Sequence, residues 1–169
     1  FGRLQRTGAF IAATTFGSAD LAKQTVDAVR QMHTRVQGTA SDGRAYSAQD
    51  PRLLEWVHIA LVDSMLSAYL HLGRDGAIDP DAYVADMAVV GRRMGVVDPP
   101  ASQDELAATF TGFLPALKVD DLVLRTHDFV TDAPLPIMLR PGYRVLARAA
   151  WATCARTTAA ARPGCTASP

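Results

Sequence analysis

The chain has 169 residues, 49% of them hydrophobic and 20% charged, a composition typical of a single globular domain with a substantial core. Its 17 basic and 17 acidic residues leave no net charge, which argues against nucleic acid as the main partner because phosphate binding normally requires a basic surface. Two cysteines cannot build a framework of several disulfides. The sequence contains no CxxC pair, the spacing that would indicate a zinc site.

Targeting signals are not visible in the sequence. No uninterrupted apolar run reaches the roughly 18 residues that a membrane span requires, and the N-terminus lacks the charged-then-apolar layout of a signal peptide. We therefore expect a cytoplasmic protein without a membrane span. The chain starts at Phe1 in what reads as a helix already under way, so we also expect a further segment upstream.

The first third of the chain predicts two helices and a loop. One helix covers about Gly2–Phe16 and is ended by Gly17. Ser18 is a suitable N-cap for a second helix that runs to about Gln37, with Gly38 in the position after the C-cap. The polar stretch TASDGRAYSAQ contains an Asp-Gly turn, which favours a short hairpin or an Ω-like loop.

Two Asp-Pro pairs mark the beginnings of the next two helices. Aspartate is a good N-cap, and proline fits the first helical position because its missing N–H would have no partner there. The third helix therefore starts at Pro51 and ends at Gly73. The fourth starts at Pro80 and reaches about Met94, where Gly95 stops it.

The C-terminal part also reads as helical. Ser102 and Glu105 form a capping box, S-x-x-E, at the start of a fifth helix. Further helices are predicted over about Val119–Thr131 and, after a break rich in proline, over about Gly142–Arg156.

No segment shows the sustained apolar/polar alternation of a strand. We therefore predict an all-α fold, a single orthogonal bundle of about seven helices. This domain covers residues 1–156, and residues 157–169 form a disordered or frayed tail.

Two of the four histidines, His33 and His58, lie on helix faces that should pack against a core. Their apolar neighbours at helical spacing are Ala22, Val26, Val29 and Val36 for the first and Leu54, Leu61 and Met65 for the second. An ordinary core imidazole bonded to a nearby carbonyl or carboxylate explains such a residue. The alternative is an axial haem ligand, because haem iron needs only one protein imidazole on its proximal side.

The opening GRLQRT places Arg3, Arg6 and Thr7 within little more than one helical turn. Two guanidiniums this close repel each other unless anions lie between them. They form either a solvated basic face or a site for carboxylates, such as haem propionates, or a polar distal pocket. The spacing leaves both interpretations open.

Asp63 shares an otherwise apolar helical stripe with Trp56, so we expect its carboxylate to be buried or paired. Its partner would be His33, Arg3 or Arg6. A structural pair and a catalytic carboxylate are both compatible with this position. GxGxxG, GxxxxGK[ST], GxSxG and EF-hand motifs do not occur, so serine or phosphate-loop chemistry has no visible site.

Three stretches of the sequence form an ordered set of motifs: GRLQRT followed by TFGSADLA, then MHTRVQGTASDGRAYSAQDP, then LLEWVHIALVDSMLSAY. With these stretches the sequence resembles the MpaB-like oxygenases, the family that includes the latex clearing proteins. Two later stretches, DAYVADMAVVGRRMGV and PLPIMLRPGYRVLARAA, are similar to its C-terminal half, so the resemblance covers about residues 1–150. It implies an all-helical fold that holds a b-type haem and uses dioxygen to cleave unsaturated hydrocarbon chains.

The resemblance also implies site residues. By motif order the proximal haem ligand falls on His33, the metal-binding residue, and the distal Arg-x-x-Lys-Thr pattern on Arg3, Arg6 and Thr7. Arg6 stands where that pattern has lysine, and a guanidinium that stays protonated is a poor iron ligand. Arg3 and Arg6 would pair with propionates or polarise dioxygen, Thr7 would donate a distal hydrogen bond, and Asp63 would orient one of these groups.

We therefore expect an oxygenase that uses haem b iron and dioxygen to oxidise an apolar or unsaturated, polyisoprenoid-like small molecule, with homo-oligomerisation left open. His58 is the alternative haem ligand. A different class of function is a helical binding or structural protein without a cofactor, in which His33 and His58 are core residues. A third is a peripheral membrane role for the last helix, where Arg140, Arg144 and Arg148 alternate with apolar residues.

Overall fold

A computed structural model describes residues 2–40, 42–72 and 78–160, except for the side chains of residues 2–4, 72 and 151–160. Over these ranges the chain forms seven α-helices and one two-stranded hairpin, so the predicted all-α class is confirmed. The elements in chain order are α1 (Gly2–Phe16), α2 (Ala19–His33), β1 (Gln37–Thr39), β2 (Ala45–Ser47), α3 (Pro51–Leu72), α4 (Pro80–Met94), α5 (Gln103–Phe113), α6 (Asp121–Thr131) and α7 (Arg140–Ala160).

The hydrophobic core lies where α3 packs against α4 and α5. Its buried members are Ile59, Val62, Leu66, Val84, Met87, Leu106 and Phe113. Trp56 packs against the same cluster, with its ring 5.3 Å from that of Phe110 and 5.4 Å from that of Phe113. Full burial of an apolar side chain such as those in this core contributes about 1.5–3 kcal/mol to the free energy of unfolding. These contacts therefore fix the position of α3, the helix that carries His58.

The third helix also has the length and composition of a membrane span. Within the described ranges, Pro51–His71 is the one helical segment that passes this test, with a mean hydropathy of 1.3. The prediction of no span considered only uninterrupted apolar runs and therefore missed this segment. In this fold α3 contributes the fully buried Ile59 and Val62 to the core and packs against α4 and α5, while 22% of the apolar window is buried.

The first two helices form a hairpin joined by Gly17 and Ser18. The Ser18 hydroxyl accepts a hydrogen bond from the amide of Leu21, as the predicted N-cap requires. A Cβ added at Gly17 would lie 2.3 Å from the carbonyl oxygen of Ala13, so this tight connection requires glycine. The close packing of α1 against α2 leaves a groove along the hairpin.

Helix α2 ends at His33, four residues before the predicted end. The chain then forms the antiparallel pair of β1 and β2, in which Gly38 lies opposite Tyr46. The amide of Ala48 donates to the carbonyl oxygen of Val36, which extends the pairing towards the helix. Of the two predicted alternatives for this stretch, the short hairpin is confirmed.

The predicted start and end of α4 and the predicted start of α5 agree with the structure. The Asp79 side chain accepts a hydrogen bond from the amide of Asp81, and Gly95 ends α4 with a φ of 102°. The Ser102 hydroxyl accepts from the amide of Glu105 at 3.2 Å, which confirms the N-terminal half of the capping box. Local capping chemistry thus determines the boundaries of the helices that build the core.

The last two helices pair with each other, and α7 also contacts α3. Helix α7 begins at Arg140 and continues to Ala160, four residues beyond the predicted end at Arg156. The predicted tail over 157–169 is therefore helical in its first four residues. Residues 161–169 lie outside the described part of the chain.

Candidate functional site

An apolar cavity of about 350 Å³ lies among α1, α2, the β-hairpin, α3 and α4. Both His33 and His58 line it, so the structure brings together the two histidines that the sequence singled out. Its apolar walls include Phe10, Tyr46, Leu54, Leu61, Met87 and Val96. Ligand sites typically have volumes of roughly 300–1,000 Å³ and mostly apolar walls.

His33 is the last residue of α2 and is half-buried. The helical face predicted for it is formed, because Val26 is 2% exposed and Ala22 and Val29 are half-buried. Val36 lies beyond the end of α2 and is 40% exposed, so it does not extend that face. The end of the helix places the imidazole where the hairpin begins, at the edge of the cavity.

His58 is the buried histidine of the pair, with 8% of its surface exposed. Its Nε2 atom is enclosed and has no hydrogen-bond partner among the described residues. Burial lowers the pKa of His58, because desolvation disfavours the charged imidazolium. The ring is therefore neutral at pH 7. An enclosed polar atom without a partner is costly, and few occur in folded proteins.

Gly91 of α4 lies directly against the His58 ring. A Cβ built on Gly91 would stand 2.8 Å from Cε1 and 2.9 Å from Nε2 of His58, and 3.0 Å from the Cβ of Pro99. The unpartnered Nε2 therefore faces the backbone of α4 and not the open space of the cavity. For His58 to offer Nε2 to a ligand its ring must turn, whereas His33 is already partly exposed.

Among the described side chains of the opening motif, Arg6 and Thr7 do not line this cavity. Arg6 lines the groove between α1 and α2 instead, and Thr7 is exposed. The side chain of Arg3 lies outside the described part of the chain, so its predicted roles stay predictions. Phe10, one helical turn after Arg6, lines both the groove and the cavity.

Asp63 is half-buried on α3 and does not line the cavity. The expected pair with His33 or Arg6 is not formed, since neither contributes to an ion pair with this carboxylate among the described side chains. Burial raises the pKa of Asp63, because desolvation disfavours its charged form. The sequence correctly indicated partial burial, and the predicted orienting role stays a prediction.

Sequence reasoning did not foresee several residues of the site. Tyr46 and Phe10 contribute walls, and Gly91 allows the His58 ring to lie against α4. No local signal marks Tyr46 or Phe10, because their place in the site depends on which elements pack together. A glycine inside a predicted helix does indicate a close approach, and Gly91 was the one detectable member of this set.

The donor set of the cavity suits a haem better than a metal ion held by protein alone. Across the described ranges, no three His, Cys, Asp or Glu side chains come together in a way that could hold an ion. A porphyrin binds through apolar contacts, and its iron requires a single imidazole from the protein. Apolar walls, the half-buried imidazole of His33 and the neutral imidazole of His58 fit these requirements.

The chain matches the model of a known protein family. A family model described as ER-bound oxygenase mpaB/B'/Rubber oxygenase, catalytic domain, matches residues 1–162. This span contains all seven helices and every residue of the cavity. No curated protein and no solved structure matches the chain.

Proposed function

Because the chain belongs to the family of the ER-bound oxygenase mpaB/B' and rubber oxygenase catalytic domains, we propose that it is a haem b-dependent oxygenase of an apolar, unsaturated substrate. Family membership makes dioxygen and an organic substrate the expected reactants. The observation that carries the haem proposal is the apolar cavity of about 350 Å³ whose walls include both His33 and His58.

His33 is the residue that we propose to hold the haem iron. It lines the cavity, is partly exposed at the end of α2, and corresponds by motif order to the proximal ligand that the resemblance implies. When bound, haem supplies the redox chemistry that activates dioxygen. The protein supplies the imidazole and a cavity with walls that keep water away from an apolar substrate.

His58 would support this site without binding iron in the conformation described here. It is neutral at pH 7 because burial lowers its pKa, so it adds no charge to the apolar cavity. Its Nε2 faces Gly91, and packing against α4 holds the ring in the cavity wall. A rotation of this ring would make it the alternative ligand.

The polar residues of α1 complete the proposal. Arg3 and Thr7 share this helix with Phe10, which lines the cavity. This placement supports a role for them near haem carboxylates or bound dioxygen. A polyisoprenoid-like substrate, homo-oligomerisation, a cytoplasmic location and the orienting role of Asp63 stay predictions.

Haem titration of the purified chain tests the proposal. We expect saturable uptake of one haem per chain, with an absorption band that His33→Ala weakens or shifts, because the variant lacks the proposed axial imidazole. His71→Ala is the matched control, since His71 is exposed on α3 and its Nδ1 lies 2.7 Å from the carbonyl oxygen of Ser67.

Two outcomes would contradict the proposal in different ways. A band that persists in His33→Ala and is lost in His58→Ala would move the ligand to His58. No saturable uptake by the parent chain would leave a helical protein without a cofactor, in which both histidines are wall residues of a ligand cavity.

A further inference from the structure

A second compartment lies outside the cavity, in the open groove between α1 and α2. Its volume is about 840 Å³. Its lining includes Arg6, Phe10, Ala13, Leu21, Val29 and Met32. Leu21 is 48% and Met32 45% exposed, so the groove presents apolar side chains to solvent. Contiguous apolar surface of this kind often marks a binding site.

Among the described side chains, Arg6 is the only charged one in the lining of the groove. It is exposed and takes part in none of the ion pairs found among these side chains, which join Arg44 to Asp42, His127 to Asp128 and Arg144 to Asp132. No described carboxylate lines the groove to neutralise this guanidinium. An apolar groove with one cation is complementary to an apolar molecule with one anionic group.

We propose that this groove binds a long-chain carboxylic acid, with the hydrocarbon chain between α1 and α2 and the carboxylate at Arg6. A guanidinium can donate two parallel hydrogen bonds to a carboxylate, which fixes the orientation of the chain. The volume of the groove lies within the range of small-molecule sites. The aliphatic side chains and alanines of the groove offer contacts that do not depend on the number or position of double bonds in the hydrocarbon chain of the acid.

The position of Phe10 connects this groove to the haem proposal. The side chain of Phe10 lines both compartments, so a hydrocarbon chain bound in the groove lies next to the wall of the cavity that contains His33 and His58. That the bound acid is also the substrate of the oxygenase rests on the proposed function. The binding of the acid to the groove does not.

Equilibrium dialysis of the full chain against oleate and oleyl alcohol tests the proposal. The two probes have the same hydrocarbon chain and differ in the head group, so their affinity ratio measures the contribution of Arg6. We expect oleate to bind one per chain and roughly three to ten times more tightly than the alcohol, because an exposed ion pair contributes only modestly. Arg6→Gln should abolish this preference, and Arg30→Gln, which removes an exposed cation of α2 outside the groove, should retain it.

A second variant tests the apolar part of the groove. Ala12 lines the groove and is exposed, so Ala12→Phe fills space without crowding the core. It should weaken the binding of oleate and oleyl alcohol alike, while circular dichroism shows unchanged helix content. Unchanged binding of both probes in Ala12→Phe would place the hydrocarbon chain outside the groove and overturn the proposal.

Haem titration of the same samples separates this proposal from the proposed function. Oleate binding without haem uptake would contradict the oxygenase and leave the acid site standing. Equal affinity for acid and alcohol, or unchanged preference in Arg6→Gln, would overturn the acid site. One-for-one displacement of oleate by haem would also overturn the acid site, because the groove would then bind the cofactor. A dimer of the parent chain that Ala12→Phe dissociates would overturn it as well, because the groove would then bind a second copy of the chain.

Discussion

Single residues determine how the helices α3 and α4 meet, and Gly91 is the clearest case. Gly91→Ala would place a methyl group 2.8 Å from His58 Cε1 and 3.0 Å from Pro99 Cβ. We expect a loss of roughly 1–3 kcal/mol in the free energy of unfolding, because a packed contact of this kind must shift. Urea unfolding of the purified variant measures this loss.

Gly112→Ala is the matched control for that substitution. A Cβ at Gly112 would meet no atom within 4 Å, and the residue lies in α5. Alanine there should leave stability unchanged or raise it by up to about 1 kcal/mol, because glycine loses more backbone entropy on folding. Equal losses in both variants would show that the His58 contact is not the cause.

The half-buried carboxylate of Asp63 predicts a pH dependence. Its pKa is raised by burial, so the folded state binds a proton more readily than the unfolded state. The ionised carboxylate therefore opposes folding above the folded pKa, and this effect disappears as the pH falls towards the ordinary value of 3.8. Asp63→Asn should raise stability at pH 7, by about 1 kcal/mol or less because solvent screens a half-buried group.

Urea unfolding at pH 7 and at pH 4.5 checks the sign. The advantage of Asp63→Asn over the parent should shrink at the lower pH, whereas Asp86→Asn, a change at an exposed residue of α4, should show no such trend. An advantage that grows on acidification would mean that Asp63 has a stabilising partner in the folded state.

At the level of single residues, the sequence predicted burial better than it predicted contacts. Helical periodicity correctly gave the partial burial of Asp63 and the faces of His33 and His58, except for the exposed Val36 and Met65. The locations of Arg6 and Thr7 do not, because the packing of α1 against α2 decides which side of α1 faces the cavity. Arg6 lines the groove and Phe10 reaches both compartments, a difference that spacing along one helix cannot show.

At the level of helices and strands, the capping box of α5 has a measurable effect. The Ser102 hydroxyl accepts from the Glu105 amide, and the Glu105 carboxylate accepts from the amide of Ala101 at 2.8 Å. Ser102→Ala should lower stability by about 1 kcal/mol, because an N-terminal amide of the helix loses its partner. Thermal unfolding followed by circular dichroism measures this.

Ser102→Asn is the conservative control, since asparagine also caps helices well and should restore most of the loss. Equal destabilisation by alanine and asparagine would indicate that the hydroxyl acts through packing and not through the cap. Because Leu106 and Phe113 of α5 are core residues, loss of this capping hydrogen bond also weakens the packing of the core formed by α3, α4 and α5.

Helix boundaries were predicted well where a capping residue marks them and poorly where long-range pairing decides. Gly95 and the Asp-Pro pair at Pro80 gave both ends of α4. The predicted end of α2 lies beyond its actual end at His33. The helical sequence pattern continues past His33, but the carbonyl oxygen of Val36 accepts a hydrogen bond from the amide of Ala48 and so takes part in the β-pairing. A hydrogen bond to a residue twelve positions away competes with the helix and leaves no local trace.

At the level of the whole molecule, the family was predictable from sequence and the layout of the site was not. Ordered motifs along residues 1–150 indicated an oxygenase domain, and the family match over 1–162 confirms it. The arrangement of the cavity beside a groove depends on how five elements pack. It required three-dimensional structure.

The C-terminal helices leave much apolar surface in water. On α6 and α7 and the segment between them, Phe129 is 64%, Met138 89% and Leu146 70% exposed. Arg144 Nη2 donates to Asp132 at 2.6 Å, and this exposed pair contributes little to holding the two helices together. Such a surface is compatible with a homo-oligomer, which the sequence left open, and with the membrane-surface role considered as an alternative for α7.

The side chain of Phe10 lines both compartments, and any coupling that it carries between their ligands is reciprocal. If a ligand in the groove shifts this ring and changes haem affinity by some factor, haem must change the affinity for that ligand by the same factor. A single coupling constant would then describe both titrations, whichever ligand is added first. An enzyme built in this way would take up its cofactor and its substrate cooperatively or antagonistically according to the sign of that one constant.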